Sequence, residues 1–108
     1  DIVMVGWTGD NGDPDNWLGN LFGCEAVGGS NYSRFCYQPF QELLVKAKQL
    51  NNQEERAKLY EEAQVIFHGQ MPGSPVGTSV VNVPLTNNVE GFKISPFGAF
   101  QFTGVSVK

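Results

Sequence analysis

The chain has 108 residues, of which 41% are hydrophobic and 17% are charged, a composition typical of a single globular domain. Eleven acidic residues outnumber seven scattered basic ones and give a formal net charge of -4, so we expect no nucleic-acid partner. The apolar runs are shorter than the roughly 20 residues that cross a bilayer, so we expect the chain itself not to span a membrane.

The first element is an apolar run that leads into an acidic loop. Residues 2 to 8 are rich in β-branched and aromatic side chains and predict a strand, and Asp10, Asp13 and Asp15 follow within six residues. A sheet holds the end of a strand rigidly, so a carboxylate in the loop that follows can be presented to a ligand in a fixed position. A cationic group is the ligand expected for a carboxylate. Because Asp1 leads straight into the run, we expect a piece of a longer protein, with a processed start as the alternative.

The three aspartates have several possible roles. Turn and helix-cap chemistry is sufficient for Asp13 and Asp15, whereas Asp10 precedes the capping positions. A calcium EF-hand requires Gly at the sixth loop position and Glu at the twelfth, where this chain has Asp15 and Leu21. No second acid stands out for a glycosidase pair, and His68, the only histidine, fits a solvated helix end. We expect no enzyme, metal or cofactor, and a small hydrolase is the weaker alternative.

Three helices are predicted in the middle of the chain. Pro14 and its acidic neighbours favour a short helix over 14 to 22, and Pro39 opens a second one. Asn52, with Glu55 three places later, resembles a capping box that starts a third helix through about residue 70. The last two helices form a predicted αα-hairpin, an arrangement that is more often scaffold than site. The predicted buried positions are Phe40, Leu43, Leu44, Ala47 and Leu50 on one helix and Leu59, Ala63, Ile66 and Phe67 on the other.

Two cysteines bracket a loop rich in Gly, Ser and Asn. Cys24 and Cys36 are separated by eleven residues, which include a flexible turn over 28 to 31. The spacing alone leaves open a disulfide in an oxidising compartment and two separate thiols. A zinc site is disfavoured because the chain has no C-x-x-C pair.

The last third of the chain has β character. Residues 76 to 85, 92 to 94 and 101 to 107 combine valine, aromatic and hydroxyl side chains, and Pro and Asn residues bound them. The predicted order is strand, short helix, cysteine loop, αα-hairpin and strands, which is an α/β fold.

Four segments in this order resemble periplasmic dipeptide-binding proteins, which are extracellular solute-binding proteins of family 5. The segments are residues 6 to 16, 35 to 40, 56 to 65 and 89 to 96, and the similarity covers essentially the whole chain. The chain resembles the C-terminal part of such a protein. The resemblance implies a two-lobed α/β fold, with residues 1-84 in the C-terminal ligand-binding lobe and residues 85-108 returning toward the other lobe.

The resemblance also implies a function. Family members are substrate-binding components of ABC-type importers, so we expect a periplasmic protein that captures dipeptides or short peptides and passes them to an inner-membrane permease. We expect it to be a monomer when full length. Asp10 matches the family aspartate that pairs with the α-ammonium of the ligand, and Trp7, Thr8 and Gly9 match the strand end that lines the same pocket. The group that receives the ligand carboxylate is expected upstream, because Arg34 lies in the cysteine loop and Arg56 on the predicted solvated face of a helix.

Cys24 and Cys36 match the local disulfide of the family, so the resemblance predicts that bridge and the periplasm. The chain departs from the family at Phe35, where Trp is usual, at residues 77 to 79, where Ala-His-Ser is common, and at residues 86 to 88, where a basic stretch is common. The ligand is therefore open among dipeptides, haem, glutathione, murein peptide and cationic antimicrobial peptides. A freestanding interaction module, with the αα-hairpin as its surface, is the alternative of a different class.

Overall fold

The computed structural model describes residues 2–108, and Asp1, where the predicted first lobe segment begins, lies outside the described residues. The chain divides into two compact units, one ending at Pro75 and the other running from Val76 to Lys108. The first unit is helical and the second contains short strands. The mixed helix and strand content confirms the predicted α/β class. The assignment of 1-84 and 85-108 to two lobes of a longer protein depends on neighbours outside this chain and stays a prediction.

Three α-helices form the first unit, at the positions that the sequence predicts. They are α1 (Asp15–Phe22), α2 (Gln38–Gln49) and α3 (Gln53–Gln70). The Asn52 side chain caps α3, since its Oδ1 accepts hydrogen bonds from the N–H groups of Glu54 at 2.9 Å and Glu55 at 3.1 Å. Only three residues separate α2 from α3, so the two helices form the predicted αα-hairpin.

The core of the first unit lies between α2 and α3. Its side chains are at most 3% exposed, and they are Phe40, Leu44 and Ala47 from α2 and Tyr60 and Ala63 from α3. Partly buried apolar side chains surround them, namely Leu18, Phe22, Phe35, Leu43, Leu59, Ile66 and Phe67. The predicted apolar faces are therefore confirmed except at Leu50, which lies one residue beyond the end of α2 and is not part of this cluster. Tyr60 is also buried, although the sequence does not predict it as a core residue. Its polar hydroxyl makes it look like a surface residue, but it lies three residues before Ala63 on the same apolar face.

The cysteine loop is closed by the Cys24–Cys36 disulfide, with a Cα–Cα distance of 4.6 Å, as the resemblance predicts. Asn31, which is only 1% exposed, supports the same loop from inside. Its Nδ2 donates to the carbonyl of Gly23 at 3.0 Å and to the carbonyl of Phe35 at 2.8 Å. Because a buried amide needs partners, these bonds fix the two sides of the loop against each other.

The predicted strand over residues 2 to 8 is wrong for this chain. No strand is present in residues 2 to 9, and Ile2, Val3 and Met4 are 102%, 61% and 87% exposed. A strand requires neighbouring backbone to pair its N–H and C=O groups, and within residues 2–108 the backbone of residues 2 to 9 forms no backbone–backbone hydrogen bond. The composition therefore identifies an apolar segment correctly. It does not show whether another backbone segment is available to pair with it.

Four two-residue strands form the sheets of the second unit. The strand β1 (Val89–Glu90) pairs antiparallel with β4 (Ser106–Val107), and β2 (Lys93–Ile94) pairs antiparallel with β3 (Phe100–Gln101). Phe92 packs edge-to-face on Phe102, with ring centroids 5.8 Å apart. The strands predicted near 92 to 94 and within 101 to 107 are thus present but shorter. The strand predicted over 76 to 85 is wrong, because this mostly exposed segment has no paired backbone within the described residues.

Candidate ligand-binding site

The acidic loop turns into α1 through local hydrogen bonds. The Asp13 carbonyl accepts from the N–H of Asn16 at 3.0 Å, and the Asp13 Oδ1 accepts from the N–H of Asp15 at 2.9 Å. Gly12 adopts φ 73°, a left-handed conformation that suits glycine. The turn role expected for Asp13 is therefore present, and the carboxylates lie where the helix dipole favours negative charge.

Arg56 connects this loop to both helices of the αα-hairpin. Its Nη2 donates to Asp13 Oδ2 at 2.8 Å and to the Tyr60 hydroxyl at 3.3 Å, and its Nε donates to the Ala47 carbonyl at 3.0 Å. The expectation that Arg56 lies on a solvated face is wrong, since its side chain is only 25% exposed. The reason is the antiparallel turn of the hairpin, which brings the start of α3 beside the end of α2 and the loop.

The ion pair with Arg56 changes the titration of the groups around it. Burial raises the pKa of the Asp13 carboxyl, but the hydrogen bonds from Arg56 and from the Asp15 N–H, together with the Arg56 charge, outweigh burial and hold that pKa below its usual value. Burial raises the pKa of the Tyr60 hydroxyl, and the nearby Asp15 and Asp13 charges add to the increase. The Asp13 carboxylate therefore stabilises the fold through its pair with Arg56 and is not available to bind a ligand.

Asp10 is held by a different kind of partner, the side-chain amide of Asn16. Asn16 Nδ2 donates to Asp10 Oδ2 at 3.0 Å, and Asn16 Oδ1 accepts from the Asp10 N–H at 3.3 Å and from the Trp7 indole N–H at 3.0 Å. Within residues 2–108 the second carboxylate oxygen, Oδ1, has no hydrogen-bond donor, and the residue is exposed to solvent. The sequence alone predicts no role for Asn16. The available signal is a side chain with both a donor and an acceptor in the first turn of the predicted helix.

Gly9 lies against the indole ring of Trp17. A Cβ added at Gly9 would stand 2.8 Å from Trp17 Nε1, closer than atoms pack, so a side chain there would displace the indole. Trp7 is half-buried, Thr8 is exposed, and Trp17 is 44% exposed. The structure thus places the predicted residues 7 to 10 together beside the start of α1. Trp17 is a second residue of this surface that the sequence analysis missed.

Two open hollows lie next to the loop, and neither contains the predicted site. One of about 250 Å³ includes Asp15, Asn20 and Lys48, and the other of about 410 Å³ includes Pro14, Gln53 and Tyr60. Residues 7 to 10 line neither of them. In the first hollow Lys48 already forms an ion pair with Asp15 Oδ2 at 3.3 Å, whereas Asp15 Oδ1 is buried and has no hydrogen-bond partner within residues 2–108.

The surface formed by residues 7 to 10 with Asn16 and Trp17 has a definite chemistry. An anionic oxygen whose partner oxygen is fixed can accept a short, charge-assisted hydrogen bond from an ammonium group. The half-buried Trp7 ring and the exposed Trp17 ring beside it suit the same cation and the apolar atoms next to it. In residues 2–108 no cluster of three or more His, Cys, Asp or Glu side chains is arranged to hold a metal ion. Over the same range, no helix has the length and apolar character needed to cross a bilayer.

Comparisons with known proteins find relatives of the chain, although no family model matches it. The chain is 45% identical to the dipeptide-binding protein of Pseudomonas aeruginosa over 106 residues, which are 98% of the chain and 20% of that protein. It is 54% identical to heme-binding protein A of Haemophilus influenzae over 104 residues, which are 96% of the chain and 19% of that protein. The chain therefore spans about a fifth of the length of the curated relatives that it matches.

Solved structures give the same result for the fold. HbpA2 from Haemophilus parasuis matches with a TM-score of 0.78 and 45% identity over 94% of this chain and 20% of that one. The periplasmic binding protein DppA from Helicobacter pylori, solved with the peptide STSA, matches with a TM-score of 0.62 and 39% identity over 63% of this chain and 14% of that one. The fold is therefore that of part of a periplasmic binding protein. More narrowly, the similarity to dipeptide-binding proteins over almost the whole chain supports the prediction that it is a C-terminal fragment of a family 5 peptide-binding protein. The roles of Trp7, Thr8, Gly9 and Asp10 stay predictions.

Proposed function

We propose that the protein containing this chain is the substrate-binding component of an ABC-type importer that captures dipeptides or short peptides in the periplasm. In this proposal Asp10 pairs with the α-ammonium of the peptide, and residues 7 to 9 line the same pocket. The loaded protein, a monomer, then delivers the unchanged peptide to a permease in the inner membrane. The names of the relatives, which include a dipeptide-binding protein and a complex with a peptide, support this class of ligand.

The observation that carries the proposal is the state of the Asp10 charge. The other two aspartates of the loop pair with cations, Asp13 with Arg56 and Asp15 with Lys48. Asp10 contacts the neutral amide of Asn16 and pairs with no cation among residues 2–108. Its charge is thus held in position without being neutralised, which is what recognition of a ligand cation requires.

This arrangement favours free amino termini over particular side chains. A hydrogen bond to a charged group contributes about 1.5 to 3 kcal/mol, and a carboxylate that loses water without gaining a partner adds a further penalty. Acetylation of the peptide removes the cation and leaves Asp10 in that unfavourable state. Peptides of different sequence share the ammonium, so discrimination among side chains is expected to be weak.

Calorimetry on the full-length protein tests the proposal with L-alanyl-L-alanine and its N-acetyl derivative as probes. We expect the wild-type protein to prefer the free dipeptide, and Asp10→Ala to weaken its binding by at least about tenfold. Asp10→Asn is the matched variant, because it keeps an oxygen for the Asn16 amide and removes the charge; it should lose the same preference. Equal affinity of wild type and both variants for the free dipeptide would refute the role of Asp10.

Haem is a second candidate ligand, because heme-binding protein A of Haemophilus influenzae is 54% identical to the chain. Haem carries two carboxylates and no ammonium, so Asp10 would repel it rather than anchor it. Titration of wild type and Asp10→Ala with hemin separates the two candidates. Tight hemin binding that Asp10→Ala leaves unchanged or strengthens, with no dipeptide binding, would favour the haem candidate.

A further inference from the structure

We propose that Asn16 is a positioning residue that presents the Asp10 carboxylate to the ammonium group of the ligand. The inference rests on the proposed function and extends it to a residue outside the predicted site. Asn16 contacts the predicted site three times, through the Trp7 indole, the Asp10 N–H and the Asp10 carboxylate. One amide therefore orients both the charged group and the aromatic group of the candidate pocket.

The pattern of donors and acceptors fixes the orientation of this amide. Two N–H groups, from Trp7 and Asp10, converge on its Oδ1, and a carboxylate oxygen receives its Nδ2. The flipped amide would place its NH₂ group against two donors and its oxygen against an anion, so only one orientation satisfies the three partners. Asparagine is suited to this position because it combines a donor and an acceptor in one short, uncharged side chain.

The helix start makes Asn16 a rigid support. Asn16 lies in the first turn of α1, and its own N–H donates to the Asp13 carbonyl at 3.0 Å. Further along α1, Leu18 and Phe22 pack against the core of the helical unit. The position of the amide is thus tied to the packed part of the fold, whereas residues 2 to 9 have no such backbone support within residues 2–108.

The neutrality of Asn16 explains why it suits a binding site better than a cation would. Arg56 and Lys48 stabilise Asp13 and Asp15 and neutralise their negative charges. An amide hydrogen bond to Asp10 Oδ2 restricts the rotation of the carboxylate and leaves its negative charge and Oδ1 available. A ligand ammonium then meets a pre-oriented acceptor and loses less entropy on binding.

The test compares Asn16→Ala with Asn20→Ala in the full-length protein, with L-alanyl-L-alanine and its N-acetyl derivative as probes. Asn20 is the matched control, because it lies one turn later on α1, is exposed, and has no side-chain hydrogen bond within residues 2–108. We expect Asn16→Ala to weaken binding of the free dipeptide by roughly tenfold and to reduce the preference over the acetylated probe. Asn20→Ala should change neither quantity by more than about twofold.

A double-mutant cycle with Asp10→Asn separates positioning from a general structural role. In the Asp10→Asn background the charge is absent, so Asn16→Ala should change affinity by no more than about twofold. An equal loss in both backgrounds would mean that Asn16 supports the loop only, and it would overturn the inference. So would an Asn16→Ala protein with wild-type affinity and preference.

The same measurements distinguish failure of this inference from failure of the proposed function. If the wild-type protein fails to bind the dipeptide, or Asp10→Ala binds it as tightly as wild type, the proposed function itself fails. Loss in Asp10→Ala with none in Asn16→Ala overturns only the role of Asn16.

Discussion

Replacement of Arg56 by methionine should open the acidic loop without emptying the core. Methionine retains most of the aliphatic stem, whereas the guanidinium bonds to Asp13, Ala47 and Tyr60 are lost. The Asp13 carboxylate and the Ala47 carbonyl then lose their Arg56 donor, and solvent water has to hydrate them instead. The loss should be greatest in the loop and α1, because Arg56 is their polar connection to α3.

The expected size of the effect follows from the exposure of the partners. The Arg56 and Asp13 side chains are 25% and 28% exposed, so solvent screens part of their attraction, and about 1 kcal/mol is a reasonable value for the ion pair. The charged hydrogen bond to the Ala47 carbonyl adds about 1 kcal/mol more. The sum of about 2 kcal/mol corresponds to roughly 30-fold more frequent local opening.

Acid should remove the contribution of the ion pair. The pKa of Asp13 is lowered in the folded protein, so the unfolded chain binds the proton more readily. The contribution is therefore complete above the unfolded pKa of about 4 and is lost as the pH falls through the folded pKa. The stability difference between wild type and Asp13→Asn should shrink in that acidic range.

Hydrogen exchange followed by mass spectrometry measures this local opening in the intact protein. Amides of residues 10 to 22 should exchange roughly 30-fold faster in Arg56→Met than in wild type at neutral pH. Lys58→Met is the matched control, because Lys58 is exposed on the same helix and has no ion pair among residues 2–108; it should leave exchange unchanged. Equal exchange in Arg56→Met and wild type would refute the reasoning.

Two further changes test the loop and the site. Replacing Cys24 and Cys36 together by serine should cost about 3 kcal/mol in the chain-entropy model, seen as a lower melting temperature, and a reductant should lower wild type to the same value. A wild-type melting temperature insensitive to reductant would contradict this. Gly9→Ala should weaken dipeptide binding several-fold, because the new Cβ displaces the Trp17 indole, whereas Gly6→Ala has open space and should be silent; equal affinities of both variants would contradict the close approach.

The helical unit was predictable from the sequence because its signals are local. The Asn52 cap and the three-and-four spacing of Phe40, Leu44 and Ala47 depend only on residues within one or two turns. The prediction of the disulfide depended on the family resemblance, because the spacing of Cys24 and Cys36 alone leaves two interpretations open, a bridge and two separate thiols.

The strands were less predictable because a strand depends on distant backbone. Residues 2 to 8 and 76 to 85 have the composition of strands, but nothing within the described residues pairs with them. The candidate site shows the same limit. Asp10 is predicted from its position and the family pattern, whereas the contacts of Asn16 and Arg56 appear only once the loop, α1 and the αα-hairpin are placed together.

A crystal structure of the full-length protein with bound L-alanyl-L-alanine tests the central claim most directly, because it locates the ammonium nitrogen. Our account predicts that nitrogen about 2.7 to 2.9 Å from a carboxylate oxygen of Asp10, with the Asn16 amide still bonded to the other oxygen. A dipeptide whose ammonium pairs with another acid, with Asp10 facing solvent, would contradict it.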